Sequence, residues 1–182
     1  MKTPSWIDEF EAALGGEFGH GPRVGALATV DEGPSARVRF VVCRRVDPDG
    51  TLWVASDARS AKNAQLRRQA EAEVAFWLPG RREQYRLAGA VTILGAAEAL
   101  DLWLGLSDSA RALFAWPEPG TPRDPDPSSF PAKLDAAGPP SASFEALGLR
   151  PTRVEHLDLK PHPHRRRRWE SADAWVERTL NP

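Results

Sequence analysis

Apolar positions along the chain alternate between two periods. Trp6, Ile7, Phe10 and Leu14 recur at helical spacing and predict an amphipathic helix over residues 4–15, stopped at Gly15-Gly16. Apolar and β-branched runs then predict strands at 23–30, 36–45 and 51–55. The first of these is closed by turn residues at 31–34. The second and third are joined by Asp47-Pro48-Asp49-Gly50, where Pro sets φ and Gly accepts a positive φ. Ser56-Asp57 offers an N-cap for a helix over 60–70. Strands at 73–78 and 83–97 follow, with Gly89 and Gly95 as bends or bulges in the longer one. A helix over 100–116 ends at Pro117, and three closing strands are expected at 153–159, 165–169 and 175–180. About eight short strands joined by tight turns, with three helices, predict a mainly β protein: a largely antiparallel β-barrel with peripheral helices.

Between them, residues 117–140 hold eight of the 17 prolines. That composition predicts a loop, with one short helix near 130–136. Neither flank makes a core alone, so the 182 residues are expected to form one domain carrying a Pro-rich insertion.

The charge balance narrows the function classes. Lys and Arg number 24 against 25 Asp and Glu, for a net charge of −1. That argues against a nucleic-acid binder and against an acidic tail protein. The single Cys43 excludes an internal disulfide and any cysteine-rich metal site. No apolar run has the roughly 18 residues a membrane span needs, and the first residues carry no signal-peptide core. A cytoplasmic protein with no membrane partner is the expectation. The basic residues are nearly all Arg, which a GC-rich genome would also produce, and seven Trp stand against one Tyr.

Charge is nevertheless unevenly placed. Residues 37–89 hold eleven basic side chains and six acidic ones. Arg59, Ser60 and Lys62 stand at the start of the helix expected over 60–70. Free amides and the helix dipole there favour an anion, so a phosphate seat and a capped helix with solvated charges are both open. Arg39 and Arg44 are five apart on one strand, hence on opposite faces. They can serve one ligand only if the strand bulges or the ligand wraps its edge. Gln84 can donate and accept, which suits a heterocycle.

Four segments resemble the pyridoxamine 5′-phosphate oxidase-like flavoproteins of the FMN-binding split-barrel superfamily. Arg39-Phe40-Val41-Val42-Cys43-Arg44 is similar to that family's R-x-V-x-L-[KR] strand. Ser56-Asp57-Ala58-Arg59-Ser60-Ala61-Lys62 is similar to its T-[ND]-x-x-S-x-K turn. Glu83-Gln84-Tyr85-Arg86-Leu87-Ala88-Gly89 is similar to its [ER]-Q-x-R-[IV]-x-G strand, and the 22 residues from Lys62 to Gln84 fit as well. Arg165, Trp169 and Arg178-Thr179-Leu180-Asn181-Pro182 are similar to its R…W…R-L-x-P ending. The stretch 102–120 resembles a subgroup with no assigned substrate.

The resemblance implies FMN held without a covalent bond, in sites where two subunits of a homodimer meet. Arg39, Arg59, Ser60 and Lys62 would face the phosphate, with Ser56 and Asp57 beside the ribityl or phosphate group. Val42 would approach the ring through its backbone, and Arg44 would lie near the reactive edge. Gln84 would contact the ring from either subunit, and Arg165 would reach it from the C-terminal strand. The implied activity is hydride transfer between an unidentified small-molecule substrate and FMN. The alternative is a non-catalytic carrier or sensor of flavin or haem. Ala61 replaces a basic residue, Leu157 a Trp, and the tail lacks a clear R-x-H motif. These departures imply a substrate other than pyridoxamine phosphate. No side chain stands out as a general base.

Other features carry little chemistry. His162 and His164 flank a proline without a carboxylate partner nearby, a poor metal site. Arg165 to Arg168 alternate in a strand, so two are expected to enter a site and two to meet solvent. Cys43 is expected to be buried and inert, and Ser107-Asp108 to turn or cap a helix. Trp103, Trp116, Trp169 and Trp175 are expected first in the core or a dimer face.

Overall fold

A computed structural model describes residues 4–33, 35–135 and 138–182. Helix α1 (Ser5–Phe18) buries Trp6, Ile7, Phe10, Ala13 and Leu14 on one face. It runs through Gly15-Gly16, where the sequence predicted a stop, and ends at Gly19 with φ +53°. Two helical glycines cost about 1 kcal/mol each relative to Ala. Phe18 offsets part of that cost by packing against the core.

Eight strands follow: β1 (Arg23–Val30), β2 (Ala36–Val46), β3 (Leu52–Asp57), β4 (Glu71–Leu78), β5 (Glu83–Ile93), β6 (Phe144–Asp158), β7 (Arg165–Glu170) and β8 (Arg178–Leu180). Their order is β3-β2-β1-β4-β5-β6-β7-β8, all pairs are antiparallel, and β3 also pairs with β6. That last pairing closes β1 to β6 into a six-stranded barrel, as the alternating pattern predicts. Leu27, Val41, Val74, Phe76, Leu87 and Leu149 fill its interior. Pro34 of the predicted 31–34 turn lies outside the described residues.

Strand β6 begins nine residues before the expected 153. Pro151 and Gly148 hide its first half, because neither favours a strand interior. The structure accommodates Pro151 at a bulge: Ala88 faces Arg153 while Gly89 faces Pro151, leaving Thr152 unpaired. A Cβ on Gly89 would lie 2.0 Å from the Arg150 carbonyl oxygen, so the backbone approach there needs glycine.

Gly95 is not a strand bend. β5 stops at Ile93, and Gly95 caps α3 (Ala96–Leu104), its amide donating to the Glu98 carboxylate at 2.7 Å. The single helix expected over 100–116 is instead α3, then α4 (Asp108–Ala112) and a 3-10 turn at Leu113–Ala115. Ser107 caps α4 as expected, accepting from the Ala110 amide. The break is stabilised by buried Arg111, which donates to the carbonyls of Trp103, Leu106 and Leu134.

The Pro-rich stretch has a 3-10 turn at Pro127–Ser129. No helix forms over residues 130–135, and Ala136 lies outside the described residues. The stretch is anchored by Trp116, whose indole N–H donates to the Pro131 carbonyl at 2.9 Å and whose ring meets Phe130 edge-on. The last strand is shorter than expected, 178–180 rather than 175–180. Ala174 and Trp175 have φ of +50° and +62°, which takes Trp175 out of the strand and onto Trp6. Trp103 and Trp169 are buried in the core as expected. No helix among the described residues is long and apolar enough to cross a membrane.

Candidate functional site

The barrel is open along one seam. β2 pairs with β3 only from Cys43↔Val54 to Val46↔Leu52. Residues 36–42 of β2 pair with β1 alone, and residues 55–57 of β3 pair with β6 alone. Arg39 and Val42 therefore lie on one lip of a split, with Ser56 and Asp57 on the other. Helix α2 (Ala61–Arg68) starts just beyond the second lip. Its N-cap is Ser60 rather than the expected Ser56 or Asp57, which are the last residues of β3.

Hydrogen bonds gather the predicted polar residues there. The Ser56 hydroxyl donates to Asn63 Oδ1, and the Ser60 hydroxyl donates to the Asp57 carbonyl at 2.7 Å, with Asn63 Oδ1 3.2 Å from Ser60 Oγ. Lys62 Nζ donates to Ser60 Oγ at 3.0 Å. Arg39 donates from Nη1 to Thr29 Oγ1 at 2.6 Å and to the Leu27 carbonyl at 3.2 Å, and from Nη2 to Gln65 Oε1 at 2.8 Å. Ala61 and Lys62 open the helix, so their amides have no partner within it.

The three cations are not equivalent. Arg59 is gripped by both carboxylate oxygens of Asp57, at 3.0 and 2.7 Å, and donates to the Trp116 carbonyl at 3.0 Å. Its charge is answered, and it ties β3 to the Pro-rich stretch. Among the described residues, no carboxylate lies within ion-pair distance of Arg39 or Lys62. Burial pushes the Lys62 ammonium below its ordinary value, and the Arg39 guanidinium adds to the effect. Burial also lowers Arg39. Two partly desolvated positive charges without an ion-pair partner, beside free helix amides, make a candidate seat for an anion. A pocket of about 490 Å³ adjoins it, with Ser56, Asp57 and Lys62 on one wall and Trp116, Pro119 and Phe130 on the other.

The remaining predicted residues do not face the seat within the protomer. Val42 and Arg44 are on the opposite face of β2 from Arg39, as alternation requires, and line a separate pocket of about 520 Å³ with His20 and Arg23. Burial lowers Arg44 as well. Gln84 faces outward on β5 between Trp77 and Leu157, and Arg165 pairs with Asp158 at the end of β6. Asp57 faces Phe144 at the start of β6 and Gln84 faces Leu157 near its end. Those positions are thirteen residues apart, up to roughly 40 Å of strand. Neither Gln84 nor Arg165 lines the pocket that adjoins the anion seat of the protomer.

Sequence reasoning missed Thr29, Asn63 and Gln65, which arrange the seat and are almost wholly buried. Amides on the inner face of a short polar helix were the available signal. The arginine run divides differently from the expectation. Arg167 is buried against Glu9, Glu177 and His156, while Arg166 and Arg168 pair on the other face with Glu155 and Glu170. Cys43 is buried and inert as expected, its thiol pushed up to about 12 by desolvation. No group of His, Cys, Asp and Glu suited to a metal occurs among the described residues.

A family model for the FMN-binding domain of pyridoxamine 5′-phosphate oxidase matches residues 3–95, which contain the whole seat. The chain belongs to that family. A solved FMN-binding protein related to pyridoxamine 5′-phosphate oxidase, from Nostoc punctiforme, is 31% identical over the full length of both chains, with a TM-score of 0.90. The fold is thus the split barrel of this family. Pyridoxine/pyridoxamine 5′-phosphate oxidase 2 of Arabidopsis thaliana is 27% identical over 143 residues, 74% of this chain and 72% of that protein. A Rhizobium etli pyridoxine/pyridoxamine 5′-phosphate oxidase is 35% identical over 111 residues, 61% of this chain. The chain spans about half the length of that bacterial relative.

Proposed function

We propose that this protein is an FMN-dependent oxidoreductase that acts on a small-molecule substrate as a homodimer. The observation that carries the reading is the pair of uncompensated cations, Arg39 and Lys62, at the split. A phosphate monoester supplies the dianion they lack. The Ser60 hydroxyl and the amides of Ala61 and Lys62 suit its oxygens. Ser56 and Asp57, which line the adjoining pocket, would contact the ribityl chain. FMN, when bound, supplies the hydride chemistry. The chain's own residues would hold the phosphate and bind the flavin, with the Pro-rich stretch walling the pocket.

The positions of Gln84 and Arg165 away from the seat support a second subunit. Gln84 shares the outward sheet face with Phe40, Val38 and Trp77, which are 79%, 66% and 49% exposed. Small residues Ala26, Ala28, Ala75 and Ala88 flatten the surface between them. A second copy on this face would bury those apolar side chains and bring Gln84, and Arg165 beyond it, to the partner's seat.

Purified protein tests the reading directly. It should be yellow, or take up FMN, with absorption bands that bleach when a panel of candidate donors is added. Bleaching with one donor and recovery in air would identify the substrate class. Loaded protein that no donor reduces would favour a flavin carrier. Failure to bind FMN at all would refute the proposal.

A further inference from the structure

We infer that Gln65, together with Thr29, sets the preference of this site for a phosphorylated over an unphosphorylated flavin. The inference rests on the FMN reading of the seat. Arg39 is partly buried at the seat, and a desolvated guanidinium normally takes a carboxylate partner. Here its braces are neutral. Gln65 Oε1 accepts from Arg39 Nη2 at 2.8 Å and from Thr29 Oγ1 at 2.6 Å. Thr29 Oγ1 in turn accepts from Arg39 Nη1 at 2.6 Å. The Leu27 carbonyl is the third acceptor. Gln65 and Thr29 are 4% and 2% exposed, so this bracket is built into the wall between β1 and α2.

The bracket has two consequences. It fixes the plane of the guanidinium before any ligand arrives, which lowers the ordering cost of binding. It also adds no negative charge of its own beside the guanidinium. Asp31, which attracts Arg39 through space, is engaged by Arg37 and Arg68 and by a side-chain hydrogen bond from Gln65. A glutamate at position 65 would keep an acceptor oxygen for Arg39 and neutralise its charge, while losing the amide that hydrogen-bonds Asp31. Gln65 is therefore a positioning residue whose neutrality determines specificity, acting through Arg39 on the phosphate.

The test is the ratio of FMN to riboflavin affinity, measured by flavin fluorescence quenching on the full chain. Gln65→Glu should lower FMN affinity on the order of tenfold or more and leave riboflavin affinity within about twofold. Its melting temperature without flavin should stay within a few degrees of the parent. In an Arg39→Ala background the same change should have little further effect, because both act through one guanidinium. An unchanged FMN-to-riboflavin ratio in Gln65→Glu, or an undiminished effect without Arg39, would overturn the inference while leaving the FMN site standing. If the parent protein fails to prefer FMN over riboflavin, the site reading itself falls. Should Gln65→Glu not fold, Gln65→Met keeps neutrality and length but removes the acceptor. It should lower the ratio a few-fold, and no change there would also overturn the inference.

Discussion

Lys62 and Arg39 hold charge where burial disfavours it, offset only in part by Asp57 and Asp31. Replacing either with Ala should weaken FMN binding about 10- to 100-fold, since a hydrogen bond to a charged group is worth about 1.5–3 kcal/mol. Riboflavin binding should barely change, and isothermal titration with both ligands checks this. His156 is the second residue whose environment makes a measurable demand. Its Nδ1 lies 2.8 Å from Arg167 Nη2, which can only donate, so Nε2 carries the proton and faces Glu83 at 3.2 Å. Burial, then the Arg167 guanidinium, pushes His156 below its ordinary 6.5. The unfolded chain therefore takes up this proton first as pH falls. The stability that neutral His156 contributes is complete above about pH 6.5. It is lost below that, by at most about 1.4 kcal/mol per pH unit. Urea midpoints should drop between about pH 7 and about pH 5, and His156→Gln should flatten that slope. An equal slope in the variant would locate the acid sensitivity in other groups.

Each element of the fold shows how far local chemistry carries. Turns with a stereochemical mechanism read correctly: Gly50 has φ +86°, and a Cβ there would lie 2.4 Å from the Trp6 ring. The Gly89 bend was legible as a glycine inside a strand, but its reason, the Arg150 carbonyl across the bulge, belongs to a distant segment. Gly89→Ala should destabilise the barrel by about 2 kcal/mol or more, as forced overpacking does. A shift in urea midpoint measures it, and an unchanged midpoint would mean that β6 slides freely past β5. The errors share a cause. α1 crosses two glycines, β6 starts before its proline, and the segment after Gly95 turns helical because packing or a cap outweighs propensity.

As a whole molecule, the protein presents an unusual outer face for a monomer. A row of paired charges, Glu73–Arg86–Glu155–Arg166, runs beside the exposed Phe40 and Trp77. If a second copy covers that face, the mass in solution should be about 40 kDa, twice the 20.0 kDa chain. Phe40→Glu should halve it and release FMN while keeping the far-UV spectrum of the barrel. Light scattering on both proteins decides this, and an unchanged mass in the variant would remove Phe40 from the interface. Pro163 and His164 line another open pocket, beside Arg165.

Alternation, turn residues and helix-start chemistry are local properties, so the sequence alone determined an antiparallel β-barrel with helices. They also placed a run of cationic and hydroxyl side chains over residues 39–62. Which cations remain uncompensated was decided only in three dimensions, because charge neutralisation depends on partners that fold across the chain. Asp57 silences Arg59 two residues away, whereas Gln65 leaves Arg39 free from another element. The separation of Gln84 and Arg165 from the seat is likewise a matter of strand register along β6, which no residue pattern specifies by itself.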